Sequence, residues 1–405
     1  MVTDKMKDSG NLGHIMVLTG EPSGDLHAGH LVKEIKQRNT QIYFSGIGGP
    51  HLEKMKVDLF YNIEQLSAMG ITEVIMQLGQ IKKAFDLFKE KLKTNTPDLI
   101  ILVDYPGFNL KAAQFAKEHY KIKILYYITP KVWAWKKSRL KKIKKYADHA
   151  ALILPFEEKI FKKAGISATY VGNPLMDEYP ESLSKPFLRS TLTLSKEKTR
   201  LIIGLLPGSR NAEINSLLDV MIQTACLIHQ ENRDTLFLIS HAPSIKREQI
   251  ETKIEKYENH PVFKIFEGPV KEIFIQSDLV IAASGTVTLE AALCCVPTII
   301  IYKLSAISHA IAKLMIKIKY AGLANIIVNE EVMPELLQKD ATPEKISRKA
   351  FYMLDHLNFF QDRLQPVRIL LGKTGASKQA AGIAINMMRE SRRQYKKLTN
   401  QLKYY

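Results

Sequence analysis

The chain has 405 residues, 46% of them hydrophobic, and carries 58 Lys+Arg against 41 Asp+Glu, a formal net charge of +17. This length and composition exclude a disordered chain and predict two domains of ordinary size. The three cysteines, Cys226, Cys294 and Cys295, form no C-x-x-C, which excludes a disulfide scaffold and a zinc ribbon.

Residues 1–13 are polar and mixed in charge, without the apolar stretch of a secretory leader. No apolar run reaches the roughly 18 residues of a membrane-spanning helix, so a cytoplasmic chain is expected. The excess positive charge calls for an acidic partner: nucleic acid, an anionic membrane surface or a phosphorylated substrate.

Apolar runs then alternate with helical patterns. HIMVLTG (14–20) leads to a helix near 26–38, and QIYFSGIGG (41–49) follows. PDLIILVDYPG (97–107) comes after an amphipathic stretch at 66–88, which reads as core, with contact to acyl chains as its companion reading. KILYYITP (123–130) and ALILP (151–155) complete a first set. RLIIGLLPGS (200–209), TLFLIS (235–240), DLVIAASG (278–285) and PTIIIYK (297–303) form a second. Strand and helix in alternation predict parallel sheets with crossover helices, and continuous apolar strands predict burial on both faces. The stretch 173–199 between the sets, with its prolines and hydroxyls, predicts an interdomain linker. The tail after about 360 reads as helical and ends basic.

Ligands of open parallel sheets bind at the carboxyl ends of the strands. Those ends are decorated here. After the first strand, GEPSGDLHAG offers Glu21, Ser23, Gly24 and Asp25 for hydrogen bonding to a substrate. Asp104 ends an otherwise apolar strand, where it reads either as a cap or ion pair at the sheet edge or as a general base aimed into the cleft. VWAWKKSRLKKIKK (132–145) holds both tryptophans, Trp133 and Trp135, beside seven Lys/Arg, a pattern open to RNA stacking, a membrane interface or a sugar platform. Gly208, Ser209 and Arg210 form a strand-to-helix turn suited to phosphate, although an ordinary helix cap reads equally well. Ser284, Gly285 and Thr286 form a second such turn. Glu290 follows one helical turn after Thr286, where a carboxylate can accept from both ribose hydroxyls. SGIGGPH (45–51) departs from G-x-G-x-x-G and follows the second strand, which argues against a dinucleotide site.

Together GEPSGDLHAG, LSAMGITEV, VDYPGFN, the run from Pro130 to Arg139, LPFE, YVGNPLMD, LLPGSRNAEI and ASGTVTLEAAL resemble the lipid-A-disaccharide synthase family. The resemblance spans about 14 to 380, and the shared order of the motifs makes it specific. It implies a GT-B fold, two Rossmann-like α/β domains with parallel sheets facing across a cleft. Residues 1–180 would bind the acceptor and face the membrane, 200–350 would bind the UDP-sugar, and helices at about 360–405 would pack back on the first domain. The implied reaction moves 2,3-diacylglucosamine from UDP-2,3-diacylglucosamine to the 6-hydroxyl of 2,3-diacylglucosamine 1-phosphate (lipid X). It inverts the anomeric centre to a β-1,6 bond and needs neither metal nor cofactor.

Carried onto this sequence, the resemblance makes Asp104 the base with Glu21 in support. It assigns substrate contacts to Ser23, Gly24, Asp25, Met69, Asn109, Trp133 and Trp135. UDP falls to Gly208, Ser209, Arg210, Ser284, Gly285, Thr286, Glu290 and Asn325. An anionic inner-membrane surface, approached from the cytoplasmic face, becomes the partner of the positive charge in place of nucleic acid, and a homodimer is allowed for. Two positions depart from the family pattern: Asn173 stands where His is common, and Thr129 where Ser is usual. Three other readings stay open on sequence: another GT-B UDP-sugar transferase or epimerase, a nucleic-acid-binding protein, and a paralogue that has lost activity.

Overall fold

The computed structural model describes residues 13–66, 73–133, 138–184, 200–257, 261–303 and 319–402, and their side chains apart from 65–66, 73–78 and 396–402. The chain divides into two compact units, Met1–Pro174 with Lys373–Tyr405, and Leu175–Gly372.

The first unit holds strands β1 (Gly13–Leu18), β2 (Ile42–Gly48), β3 (Asp58–Asn62), β4 (Leu99–Val103), β5 (Lys123–Tyr127), β6 (His149–Leu152) and β7 (Ala168–Tyr170). Its crossovers carry helices α1 (Pro22–Arg38), α2 (Pro50–Lys54), α3 (Glu73–Thr94), α4 (Pro106–Tyr120), α5 (Ser138–Tyr146) and α6 (Glu157–Lys163). The second unit opens with α7 (Leu175–Glu178) and holds β8 (Leu201–Leu206), β9 (Thr235–Ser240), β10 (Val262–Phe266), β11 (Leu279–Ala283), β12 (Thr298–Tyr302) and β13 (Glu335–Leu337). Its helices are α8 (Asn211–Glu231), α9 (Arg247–Ile254), α10 (Val270–Gln276), α11 (Thr286–Leu293), α12 (Leu323–Val328), α13 (Pro343–Asp355), α14 (Leu357–Asp362) and α15 (Gln365–Leu371). The last helix, α16 (Ala376–Leu402), belongs to the first unit.

Both sheets are parallel throughout, in the orders β3-β2-β1-β4-β5-β6-β7 and β10-β9-β8-β11-β12-β13. Each order reverses direction once, between β1 and β4 and between β8 and β11, and such reversals open a crevice at the strands' carboxyl ends. The inner strands β4 and β11 are apolar and buried throughout because both their faces are covered. Met16, Leu18, Ile100 and Leu102 point into one core, while Ile15, Val17, Ile101 and Val103 point into another. The second core gathers Ala28, Leu31, Val32 and Ile35 of α1 with Ala380, Ala381, Ala384, Ile385 and Met388 of α16. Of the tail expected to pack on the first unit, Lys373–Tyr405 does so, whereas 360–372 lies in the second.

Three expectations are refined. Helix α1 starts at Pro22, not near 26, because proline suits the first helical position, where its fixed φ fits and an N–H would go unpaired, so Ser23, Gly24 and Asp25 lie in its first turn. The stretch read as a linker begins as helix α7 and a 3-10 turn (Glu181–Leu183) built into the second unit. In the amphipathic stretch, Ala84 and Phe88 are core residues of α3. Residues 67–72 lie outside the described residues, and with them the expected contact of Met69.

Candidate functional site

In the first unit the reversal brings the loops after β1 and β4 side by side. Asp104 and Tyr105 follow β4 with φ of 47° and 42°, and Ile128 follows β5 with φ of 57°. Left-handed backbone disfavours L side chains, strongly so at a β-branched residue, and such strain persists only where surrounding contacts hold it. The contacts are present. Asn109 Nδ2 donates to the carbonyls of Asp104 (2.7 Å), Val103 (3.2 Å) and Leu18 (3.4 Å). Tyr126 Oη donates to the Asp104 carbonyl at 2.9 Å, and burial holds that phenol protonated. Gly20 admits the Tyr105 ring, since a Cβ there would sit 2.2 Å from Tyr105 Cδ1.

This bracing fixes the backbone of Asp104, whose carboxyl is half-buried. Burial first, and the Glu21 charge second, push its pKa above the ordinary value, against the Tyr105 N–H and the charges of Lys131 and Arg139. A carboxylate whose pKa is raised is suited to accept a proton. Glu21 caps α1 by its backbone, makes no side-chain cap hydrogen bond, and is exposed together with Ser23.

Three residues expected to contact substrate have structural work instead. Asp25 is fully buried and accepts from the N–H groups of Gly49 (2.7 Å), His51 (2.8 Å) and Leu52 (3.3 Å). It therefore caps α2, and the SGIGGPH stretch is its cradle: a Cβ on Gly49 would lie 3.0 Å from Asp25 Oδ2. Gly24 makes room for Thr19, whose Oγ1 would stand 2.3 Å from a Cβ. Asn109 is fully buried, and its amide nitrogen braces the Asp104 corner. Trp133 is half-buried; its Nε1 donates to Glu157 Oε1 at 3.0 Å, and its ring meets Phe156 edge-on at 5.1 Å. Burial raises the Glu157 carboxyl to about 7 against the Trp133 and Leu154 hydrogen bonds. Trp135 lies outside the described residues. Asn173 is buried and donates to the Ile153 carbonyl at 3.1 Å.

In the second unit the reversal pairs the loops after β8 and β11. Gly208 adopts φ of 112°, and a Cβ there would fall 2.2 Å from Glu213 Oε2. That oxygen accepts from the N–H groups of Ser209 (2.9 Å) and Arg210 (3.3 Å). The N–H groups of Ser209 and Arg210, expected to face phosphate, are thus taken by the Glu213 carboxylate. What the turn offers outward is the Arg210 guanidinium, 76% exposed. Glu213 was missed because Arg210, three residues before it, is not the Ser or Thr that marks a capping box in sequence.

After β11, Ser284 Oγ donates to the Ala321 carbonyl at 3.2 Å, Gly285 and Thr286 are exposed, and a Cβ on Gly285 would meet open space. These residues start α11, whose free N–H groups favour an anion. Glu290 lies in the same helix; burial raises its pKa, and its Oε2 accepts from Tyr179 Oη. Asn325 is fully buried and saturated. It donates to Met333 O and Glu335 Oε1, each at 2.7 Å, and accepts from Val332 N and Met333 N. Glu335 in turn accepts from the N–H groups of Ala321 and Gly322. Asn325 therefore supports the loop that holds Ser284; it does not face a nucleotide. No local sequence signal marks Glu335.

Among the described residues, no helix is long and apolar enough to cross a membrane.

A family model described as lipid-A-disaccharide synthetase matches residues 15–380. A lipid-A-disaccharide synthase of Coxiella burnetii (strain Dugway 5J108-111) is 35% identical over 377 residues, 92% of this chain and 98% of the relative. Among solved structures, Acinetobacter baumannii MurG superposes with a TM-score of 0.57 at 14% identity, over 92% of this chain and 99% of that one. A UDP-GlcNAc 2-epimerase from Neisseria meningitidis, bound to UDP-GlcNAc, gives 0.59 at 10% identity, over 94% and 100%. The structural likenesses establish the GT-B type of fold, two parallel-sheet Rossmann-like domains. With that fold, the decorated strand ends and a match over nearly its whole length, the chain belongs to the lipid-A-disaccharide synthetase family.

Proposed function

We propose that this glycosyltransferase joins 2,3-diacylglucosamine, carried by UDP, to the 6-hydroxyl of 2,3-diacylglucosamine 1-phosphate, with Asp104 as the general base. The observation that carries the assignment is the Asp104 corner. A carboxyl at a sheet reversal, on left-handed backbone held by Asn109 and Tyr126, has its pKa raised by burial and by Glu21.

In a single inverting displacement, Asp104 takes the proton of the 6-hydroxyl as its oxygen bonds the anomeric carbon and the bond to the UDP oxygen breaks. Burial, and after it the Glu21 charge, raises the affinity of Asp104 for that proton, and Ser23 offers a hydroxyl at the same edge. The leaving diphosphate gathers charge, which Arg210 and the N–H groups opening α11 take up, with Ser209, Ser284 and Thr286 as hydroxyl partners. Glu290 accepts from the ribose. The net charge of +17 supports peripheral binding to an anionic membrane surface, where acylated substrates reside.

The test is to incubate the protein with both substrates in detergent and follow disaccharide and UDP. Product is expected; its absence where an established synthase of the family works would sink the reading. Asp104→Asn is expected to lose turnover by about 10²-fold or more with UDP binding kept. Arg210→Ala is expected to weaken donor binding first.

A further inference from the structure

Glu290 is a largely buried carboxylate whose function, in the reading above, is to present an oxygen to the ribose. Such a side chain has three rotatable bonds, and something must hold it in one orientation. Among the described residues, its carboxylate has one hydrogen-bond donor, the hydroxyl of Tyr179 on Oε2. Tyr179 is itself buried, 5% exposed, with its ring 6.4 Å from that of Phe274.

The backbone of Tyr179 is secured separately. Its N–H donates to the Leu175 carbonyl at 2.8 Å, closing the short helix α7. Its carbonyl accepts from Arg368 Nη2 at 2.7 Å, and the same nitrogen donates at 2.8 Å to the carbonyl of Leu293, the last residue of α11. Tyr179 is thus attached to the Glu290 helix at two points: to the middle of α11 by its hydroxyl, and to its carboxyl end through Arg368. A residue needed only to fill space would require neither attachment.

We infer that Tyr179, held by Arg368, is a positioning residue for nucleotide recognition: its hydroxyl fixes Glu290 so that the other carboxylate oxygen meets the ribose hydroxyls of the UDP donor. The inference rests on the ribose role of Glu290. It assigns the segment after Pro174 a part in donor specificity, where the sequence showed only a prolyl link.

The experiment measures binding of UDP and of 2′,3′-dideoxy-UDP to the full chain and to Tyr179→Phe, Glu290→Ala and the double variant. The wild type is expected to prefer UDP by about tenfold or more, as hydrogen bonds to a charged group are worth that much. Glu290→Ala should abolish the preference. Tyr179→Phe, which keeps the ring, should cut it at least threefold, and the double variant should match Glu290→Ala alone. In turnover, Tyr179→Phe should raise the donor KM and leave kcat unchanged. Should Glu290→Ala keep the preference, the ribose reading fails and takes the inference with it. Should Glu290→Ala lose it while a folded Tyr179→Phe keeps it in full, the inference fails and the ribose reading stands. If thermal unfolding shows Tyr179→Phe to be misfolded, Arg368→Met decides in its place: a reduced preference supports the positioning role, and a full one overturns it.

Discussion

At the scale of single residues, two carboxyls, half-buried Asp104 and buried Glu157, carry consequences for pH. Asp104 must be ionised to take a proton, and its pKa is raised by burial and then by Glu21. The acidic limb of kcat/KM therefore lies above the ordinary aspartate range, with activity falling as the pH drops through the raised value. Glu21→Gln removes a negative neighbour, so Asp104 ionises more readily. The limb is expected to move to lower pH, with a lower plateau because a weaker base accepts the proton less well; a pH profile of kcat/KM checks both. Glu157 acts on stability. Its carboxyl titrates near 4.5 when unfolded and at about 7 when folded. Between those values the folded chain holds a proton that the unfolded chain has lost, so stability falls as pH rises through the interval. The loss amounts to on the order of 3 kcal/mol between pH 5 and pH 8. Glu157→Gln should flatten that slope, as chemical denaturation at several pH values would show.

At the scale of elements, a side chain's neighbours decide whether a polar residue at a strand end is functional, and those neighbours are only partly written in the sequence. The strands and their two reversals were legible because continuous apolar runs alternate with helical periods. Legible too was the placing of Asp104 and Glu21 after strands of the first unit, and of Arg210, Ser284 and Thr286 after strands of the second. What hid was the second partner of each polar group. Asp25 reads like a ligand residue in GEPSGD, but its three donors lie 24 to 27 positions away at the start of α2. Asn325 hides likewise, because Glu335 and the Val332–Met333 turn saturate it only after β13 has joined the sheet. Asp25→Asn places an NH₂ group where an acceptor is needed and leaves a buried backbone donor unpaired. It is expected to destabilise the first unit by about 3 kcal/mol. UDP affinity, which depends on residues of the second unit, should hold. Thermal unfolding together with UDP titration tests both, and a stable but substrate-blind variant would return Asp25 to the binding residues.

At the scale of the whole molecule, the chain leaves the first unit at Pro174 and comes back to it at Lys373, so that unit is discontinuous while the second is one segment. The return is structural in the strict sense. Helix α16 puts Ala380, Ala381, Ala384, Ile385 and Met388 against Ala28, Leu31, Val32 and Ile35 of α1. Lys123 pairs with Glu390 at 2.6 Å, and Arg38 donates to the Lys378 carbonyl at 2.6 Å. Burying a side chain the size of Ile or Met contributes roughly 1.5–3 kcal/mol, and a domain's net stability is only about 5–15 kcal/mol. Removing Lys373–Tyr405 therefore strips one face of a core that the first unit cannot close alone. The Asp104 corner and the exposed Ser23 would be lost with it, since β1 and β4 both face that core. A chain ending at residue 372 is expected to lose transferase activity and to show protease cutting confined to the first unit. Its UDP affinity should stay within about threefold of the full chain, because the Arg210, Ser284 and Glu290 elements keep every contact of their own unit. Limited proteolysis with equilibrium UDP binding measures the two halves independently. Loss of UDP binding on truncation would mean that the nucleotide elements depend on the first unit for their shape.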